Sequence, residues 1–139
     1  MFVRPIFAVL LVCLAAGPAF SQAAPAKPSQ VTAVTPTPDD RAREWLVLVD
    51  DKNYPQSWNQ AAKAFQSRQK ADAWAKDADT VRTPLGAVAS RGLKSIDLTR
   101  NNVAVIRYDT AFARKAAAIE TVTLAFENGA WAVSDYSVN

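Results

Sequence analysis

The sequence predicts an α+β fold in which three N-terminal helices pack on a curved, mostly antiparallel four-stranded sheet with a cone-like or cystatin-like architecture. Two patterns predict this fold. Up to about residue 85 the apolar residues recur with helical spacing, and Trp45, Trp58 and Trp74 each lie on an apolar helix face. After that point, apolar residues alternate with the period of a strand. Helices followed by a run of strands are typical of separate helical and sheet layers.

The first helix is expected from about Asp40 to Val49 or Asp51, because Trp45 continues an apolar stripe with i, i+3, i+4 spacing. Asp39 or Asp40 is the predicted N-cap, since a carboxylate there accepts from free backbone N–H groups and suits the positive end of the helix. The helix is expected to end before a Tyr-Pro pair.

The second helix carries an apolar stripe from Trp58 to Phe65. Its N-cap is either Ser57, through a capping box, or Tyr54, ahead of a proline at the first helical position. Trp74 lies half a turn out of phase with that stripe, so the helix must break near Arg68 to Lys70. This break therefore separates the predicted second helix from the predicted third helix, which carries Trp74.

The third helix is expected to end at Thr83, because Pro84 disfavours a helical conformation in the residue before it and Gly86 follows. A weak strand from Val88 to Leu98, with a bulge at Gly92, comes next. The remaining strand signals are a turn at 100–102, alternating stretches at 103–112 and 120–126, an Asn-Gly hairpin turn at 128–129 and a final strand from 130.

The N-terminal residues predict an exported protein. Arg4 precedes an apolar run from Ile6 to Ala16, and small residues before Gln22 fit a signal-peptidase site, so residues 1–21 are interpreted as a signal peptide. Residues 22–38 are rich in Pro and Ala and predict a disordered tether. Residues 39–139 then form one α+β domain, located in the periplasm or secreted, with no stable membrane span after removal of the signal peptide.

Composition excludes several kinds of chemistry. The chain contains no His and one Cys, Cys13, which lies in the predicted signal peptide, so triad catalysis and zinc-thiolate sites are excluded in the mature protein. The net charge of +3 falls to +2 without Arg4, which is too small to indicate nucleic-acid binding. No glycine-rich phosphate loop is present. We expect no cofactor, no metal site and no catalytic residue from these patterns.

An acid–base enzyme is the alternative that survives. Tyr108-Asp109 and Asp135-Tyr136 pair a phenol with a carboxylate, as enolisation requires. Neighbouring residues in a strand point to opposite faces, so neither pair can converge on one substrate by itself. A pair made of a phenol from one strand and a carboxylate from another strand remains a candidate.

Several motifs resemble the bacterial domain-of-unknown-function family 4019. They are Trp45, the helix from Trp58 to Phe65, Trp74, the Arg-Thr-Pro-Leu-Gly stretch at 82–86, Ser90-Arg91, residues 120–124 and the final Gly129-Ala130-Trp131 with Tyr136. The resemblance implies an exported domain with a cone similar to nuclear transport factor 2, and it implies no established activity. This chain departs from the family pattern at Lys94 to Asn102, which lack Gly and Pro.

Glu120 is the one acidic residue on the apolar face of a predicted strand, so it needs a partner. Arg82 and Arg91 are the candidates, because a guanidinium can satisfy both carboxylate oxygens. The set either ties helix to sheet or lines a pocket, in which case the arginine left free would favour an anionic ligand. The candidate ligand-binding residues are Arg82, Arg91, Glu120, Trp58 and Tyr108.

Three functions follow from these patterns. The favoured one is a non-catalytic binding module, monomeric or homodimeric, for a small molecule or an envelope protein. The alternatives are a small cofactor-free isomerase or hydratase that uses a buried carboxylate, and a structural protein with no ligand.

Overall fold

The computed structural model describes residues 34–139. Four helices precede four strands in this part of the chain. Their bounds are α1 Pro38–Asp50, α2 Tyr54–Asn59, α3 Lys63–Arg68, α4 Ala71–Leu85, β1 Val88–Thr99, β2 Val103–Phe112, β3 Lys115–Glu127 and β4 Ala130–Val138. The predicted signal peptide and residues 22–33 of the predicted tether lie outside the described residues, and Pro38, the last residue of that tether, begins α1.

The strands form one antiparallel meander in the order β1-β2-β3-β4. The alternation predicted for β2 is confirmed, since Ala104, Ile106 and Tyr108 are fully buried and face the helices. The type I′ turn between β3 and β4 is also confirmed, because Asn128 and Gly129 both have positive φ angles, of 52° and 79°.

The core lies between the helices and the concave face of the sheet. Trp45 and Trp74 are buried, and their ring centroids are 5.6 Å apart. Both indoles hydrogen-bond Ser57, one to its carbonyl oxygen and one to its hydroxyl. Trp58 is half-buried and packs against this cluster. The three tryptophans therefore share one core, as the sequence predicts.

The region predicted as the second helix contains two helices, α2 and α3. The break after Arg68 is confirmed, but a second break separates α2 from α3 at residues 60–62. Ala62 is extended there, and its N–H donates to the carbonyl of Val133 in β4 at 2.8 Å. The expectation of three helices was wrong because a backbone contact with the sheet replaces a helical turn.

Three helix ends also differ from expectation, and the first is that of α2, whose N-cap is Asn53 and not Ser57 or Tyr54. Thr37, rather than Asp39 or Asp40, caps α1, and the Asp40 carboxylate bonds back to it in a capping box. Helix α4 continues past Thr83 through Pro84 to Leu85. Arg114, in the β2–β3 turn, bonds the carbonyls of Thr83 and Leu85, so a tertiary contact holds this last turn.

The bulge predicted at Gly92 lies elsewhere. Gly92 pairs regularly with Asp109, and the register shifts fall between Val88 and Ser90 and between Leu93 and Ser95.

No helix of residues 34–139 combines the length and apolar character needed to cross a bilayer.

Candidate functional site

Glu120 lies at the centre of a buried ionic network. Its side chain is completely buried, and its carboxylate accepts five hydrogen bonds. Arg91 contributes two of these, at 2.6 and 3.1 Å, and Arg82 contributes one at 3.3 Å. The hydroxyls of Thr110 and Tyr136 complete the set at 2.7 and 2.8 Å. The predicted pairing of Glu120 with at least one arginine is confirmed, since both bond it.

Asp50 is the second carboxylate of the network. It accepts from Arg82 Nη2 at 2.5 Å and from Arg91 Nη1 and Nη2 at 2.8 and 3.0 Å. Two guanidiniums thus face two carboxylates, and their formal charges cancel. The sequence prediction missed Asp50 because a carboxylate at the end of a helix is usually solvated. A signal existed, since Asp50 follows the buried Leu46 by one helical turn.

Four elements hold these side chains together. Arg82 continues the buried stripe of α4 that Trp74 and Ala78 begin at four-residue intervals. Asp50 is the last residue of α1, while Arg91 and Glu120 project from the concave face of β1 and β3. The network therefore joins two helices to the sheet through charge-assisted bonds.

Burial and charge change the proton affinity of these groups. Burial alone would lower the pKa of Arg91, but its hydrogen bonds to Asp50 and Glu120 outweigh that effect, and its pKa is raised. Burial raises the pKa of Tyr136, and the charge of Glu120 adds to the increase. The guanidinium stays charged and the phenol stays neutral at physiological pH.

The other predicted site residues lie outside this network. Tyr108 is fully buried and donates to the Asp39 carboxylate at 2.6 Å. The Trp58 indole donates to the Gln69 carbonyl at 2.7 Å. Neither arginine is left free for an anionic ligand, because Arg82 and Arg91 both bond Glu120 and Asp50.

A pocket of about 550 Å³ opens beside the network, between the C-terminal ends of α1 and α4 and the β2–β3 turn. We call it the α1–α4 pocket. Its volume is within the range of small-molecule sites. Its lining residues include Val49, Asp50, Asp51, Lys52, Tyr54, Arg82, Thr83, Gly86, Ala87, Val88 and Arg114.

Two residues that line this pocket each carry a buried polar atom without a hydrogen bond of good geometry within residues 34–139. They are Arg82, at its Nε, and Tyr54, at its hydroxyl, and each of these residues is 6% exposed. Both atoms are themselves inaccessible to solvent, so a molecule in the pocket does not reach them, and the Asp79 carboxylate acts on the Tyr54 hydroxyl and raises its pKa. In the same part of the chain, no three side chains of the His, Cys, Asp and Glu types cluster closely enough to hold a metal ion.

Comparison with known proteins gives a family and a fold. The model of a family of proteins of unknown function, DUF4019, matches residues 41–136. No protein with a curated description matches the chain in sequence. A solved structure from Campylobacter jejuni, provisionally described as an NTF2-like transpeptidase, has a TM-score of 0.50 and 17% identity, and covers 70% of this chain and 97% of its own. At that identity the likeness shows the NTF2-like fold alone. The chain therefore belongs to the DUF4019 family.

Proposed function

We propose that this protein is a non-catalytic binding module of the cell envelope, and that the α1–α4 pocket is its site for a small ligand. The observation that carries the proposal is the pocket itself, because its volume of about 550 Å³ and its lining of apolar and charged side chains suit a small molecule. Export to the envelope rests on the apolar N-terminal run from Ile6 to Ala16.

The state of the buried carboxylates supports binding over catalysis. A general base needs a free lone pair directed at a substrate proton. Glu120 accepts five hydrogen bonds and has no exposed surface, and Asp50 accepts three. Glu120 is therefore not placed to take a proton from a substrate, which argues against an isomerase or hydratase built on Glu120.

The Campylobacter protein is described as a transpeptidase, and transpeptidation is an acyl transfer. The residue types of this sequence do not support that reaction. Transpeptidation needs an activated nucleophile, usually with a neighbouring base. The chain contains no His, and its only Cys lies in the predicted signal peptide. Ser57, a buried hydroxyl, donates to the Tyr54 carbonyl and accepts from Trp74, so it serves the core.

A small-molecule screen followed by NMR of the full chain tests the proposal. Ala87 is exposed at the pocket wall, so Ala87→Trp fills the pocket without entering the core. Ala89 is also exposed but does not line the pocket, so Ala89→Trp is the matched control. We expect binding molecules to shift resonances of the pocket residues in the wild type and in Ala89→Trp, and to lose that effect in Ala87→Trp. Binding that survives Ala87→Trp unchanged would contradict the proposal.

A further inference from the structure

We propose that two copies of this protein associate through the outer edge of β1, with their β1 strands antiparallel and Ile96 on the two-fold axis. The sheet has two edges, β1 and β4, because the strand order is β1-β2-β3-β4. A strand at the edge of a sheet presents unpaired backbone N–H and C=O groups on its outer side. The surface in question, residues 93–98, lies at the opposite end of β1 from the α1–α4 pocket, which Val88 lines.

The two edges of the sheet differ in what covers them. At β4, the Ala62 N–H donates to the Val133 carbonyl at 2.8 Å, and the Arg68 side chain donates to the Ser134 carbonyl. At β1, no backbone group of residues 34–139 from outside the sheet bonds the strand. The strand is 12 residues long and contains no proline, so a further strand can pair with it.

Three apolar side chains of β1 are exposed beside this free edge. Leu93, Ile96 and Leu98 are 45%, 41% and 67% exposed. Their partners in β2 are Tyr108, Ile106 and Ala104, which are fully buried. Directly opposite side chains share one face of a sheet, so the three apolar residues lie on the concave face. Helix α1 packs chiefly on β2, β3 and β4, and this leaves the apolar side of β1 uncovered.

The convex face of the same stretch carries one charge of each sign. Lys94 donates to the Asp109 carboxylate at 2.9 Å, and Asp97 accepts from Arg107 at 2.5 Å. Asp109 and Arg107 flank Tyr108 in β2 and therefore point to the face opposite to it. Charges on an edge strand oppose pairing with most strands, but a partner with the opposite charges in the same positions is attracted.

The register shift between Leu93 and Ser95 decides which residues of two copies would meet. At a bulge two residues occupy the place of one, so Lys94 and Ser95 together oppose a single residue of a neighbouring strand. With Ile96 on the axis, the Ile96 side chains of the two copies meet on the concave face. Leu93 then lies opposite Leu98 of the second copy. On the convex face, Lys94 lies opposite Asp97 of the second copy.

Other positions of the axis are less favourable. An axis through Asp97 places the two Asp97 carboxylates opposite each other, and an axis through the bulge does the same with the two Lys94 ammonium groups. Like charges directly opposite each other are destabilising. The axis through Ile96 instead joins the apolar side chains of both copies and pairs every charge with its opposite. Such self-complementarity is what a two-fold interface requires, so the edge suits a second copy of this chain better than an unrelated strand.

Sedimentation velocity of the full chain over a range of concentrations tests the inference. We expect a reversible monomer–dimer equilibrium with a Kd of about 1–100 μM, because one strand pair with few apolar contacts forms a small interface. Ile96→Lys places two like charges on the axis and should weaken association at least about tenfold. Val81→Lys is the matched control, since Val81 is 45% exposed but lies on α4, and it should leave the Kd unchanged.

A pair of charge reversals tests the register. Asp97→Lys and Lys94→Asp should each weaken association at least about tenfold, because like charges then meet across the axis. In a mixture of the two variants every lysine meets an aspartate, so association should return to about the wild-type level. Asp135→Lys makes the same charge change on β4 and should have no effect. Urea unfolding should show that these variants fold, because exposed ion pairs contribute little to stability.

Three results would overturn the inference. A monomer at every concentration up to about 500 μM would show that the edge is covered in another way, for example by residues 22–33 of the same chain. A dimer that Ile96→Lys does not weaken would show that another surface is used. A mixture of Asp97→Lys and Lys94→Asp that stays monomeric would contradict the register. If Ile96→Lys does not fold, the two charge reversals carry the test.

Discussion

The carboxylate of Glu120 shows how far a single residue can be interpreted from sequence. Its place on the apolar face of β3 required a partner, and Arg82 and Arg91 were the correct ones. Burying a charge is costly unless the charge is paired and hydrogen-bonded. The same reasoning did not reach Thr110 or Tyr136, whose hydroxyls complete the shell, because the register in which neighbouring strands pair was not predicted.

Asp50 escaped prediction for a related reason. The sequence Asp50-Asp51 at a helix end resembles many solvated helix termini, and the half-buried, paired state of Asp50 depends on Arg82 and Arg91 from distant parts of the chain. The α1–α4 pocket was equally hidden, because it is formed by three chain segments whose meeting depends on the packing of α4 against the sheet.

Tyr136 gives a pH dependence with a definite sign. Burial, and then the charge of Glu120, raise its pKa above the usual value of about 10. The unfolded chain releases this proton first, so the folded state is fully stabilised below about pH 10 and loses stability as the pH rises further. We expect the free energy of unfolding in urea to be lower at about pH 11 than at about pH 8. The difference between the two pH values should be smaller in Tyr136→Phe than in the wild type.

The comparison isolates Tyr136 because Tyr108, whose pKa is raised in the same direction by burial and by Asp39, stays in both proteins. An equal fall in the wild type and in Tyr136→Phe would show that Tyr136 does not contribute.

At the scale of the elements, periodicity located β1, β2 and the start of β4 to within one residue, but it missed the start of β3, which begins at Lys115 and not near residue 120. The start of β2 at Val103 and the turn before it were correct. The break between α2 and α3 was not predicted, because it depends on a bond from Ala62 to Val133 in a distant strand. Local propensity cannot include such a contact, and tertiary structure overrides it.

The helical layer depends on Trp74. It is 5% exposed, lies 5.0 Å from the Phe65 ring, and donates to the buried Ser57 hydroxyl. Trp74→Ala should therefore cost about 3–5 kcal/mol, because it leaves a cavity and removes the hydrogen bond that the Ser57 hydroxyl accepts. Urea unfolding measures this loss, and the half-buried Trp58 supplies the comparison, since Trp58→Ala should cost less. A loss below about 1 kcal/mol in Trp74→Ala would show that the indole does not anchor the core.

For the whole molecule, the α+β class and the helices-then-meander order were predictable because both follow from hydrophobic periodicity. The NTF2-like fold is shared with a structure of 17% identity, so the fold is retained at low sequence identity. The shape of the α1–α4 pocket was not predictable from the sequence, because it depends on side-chain packing at every contact between the elements.

Export is a prediction for the intact chain. The mature protein should begin near Gln22, after loss of a leader that contains Cys13 and Arg4. Mass spectrometry of the envelope fraction should find the processed form. Finding the form that begins at Met1 in the cytoplasm would contradict it.

The free energy of unfolding of Glu120→Ala tests the central claim most directly, namely that the ionic network is structural and that Glu120 is not a catalytic base. Removing Glu120 from this buried, hydrogen-bonded ion set leaves Arg82 and Arg91 to share the single carboxylate of Asp50, so one buried positive charge is uncompensated. We expect a loss of about 3 kcal/mol or more in urea unfolding at neutral pH. Active-site carboxylates are often held at a cost to stability, so their removal is neutral or stabilising. A loss below about 1 kcal/mol, or a gain, would contradict the structural role and return Glu120 to the candidates for catalysis.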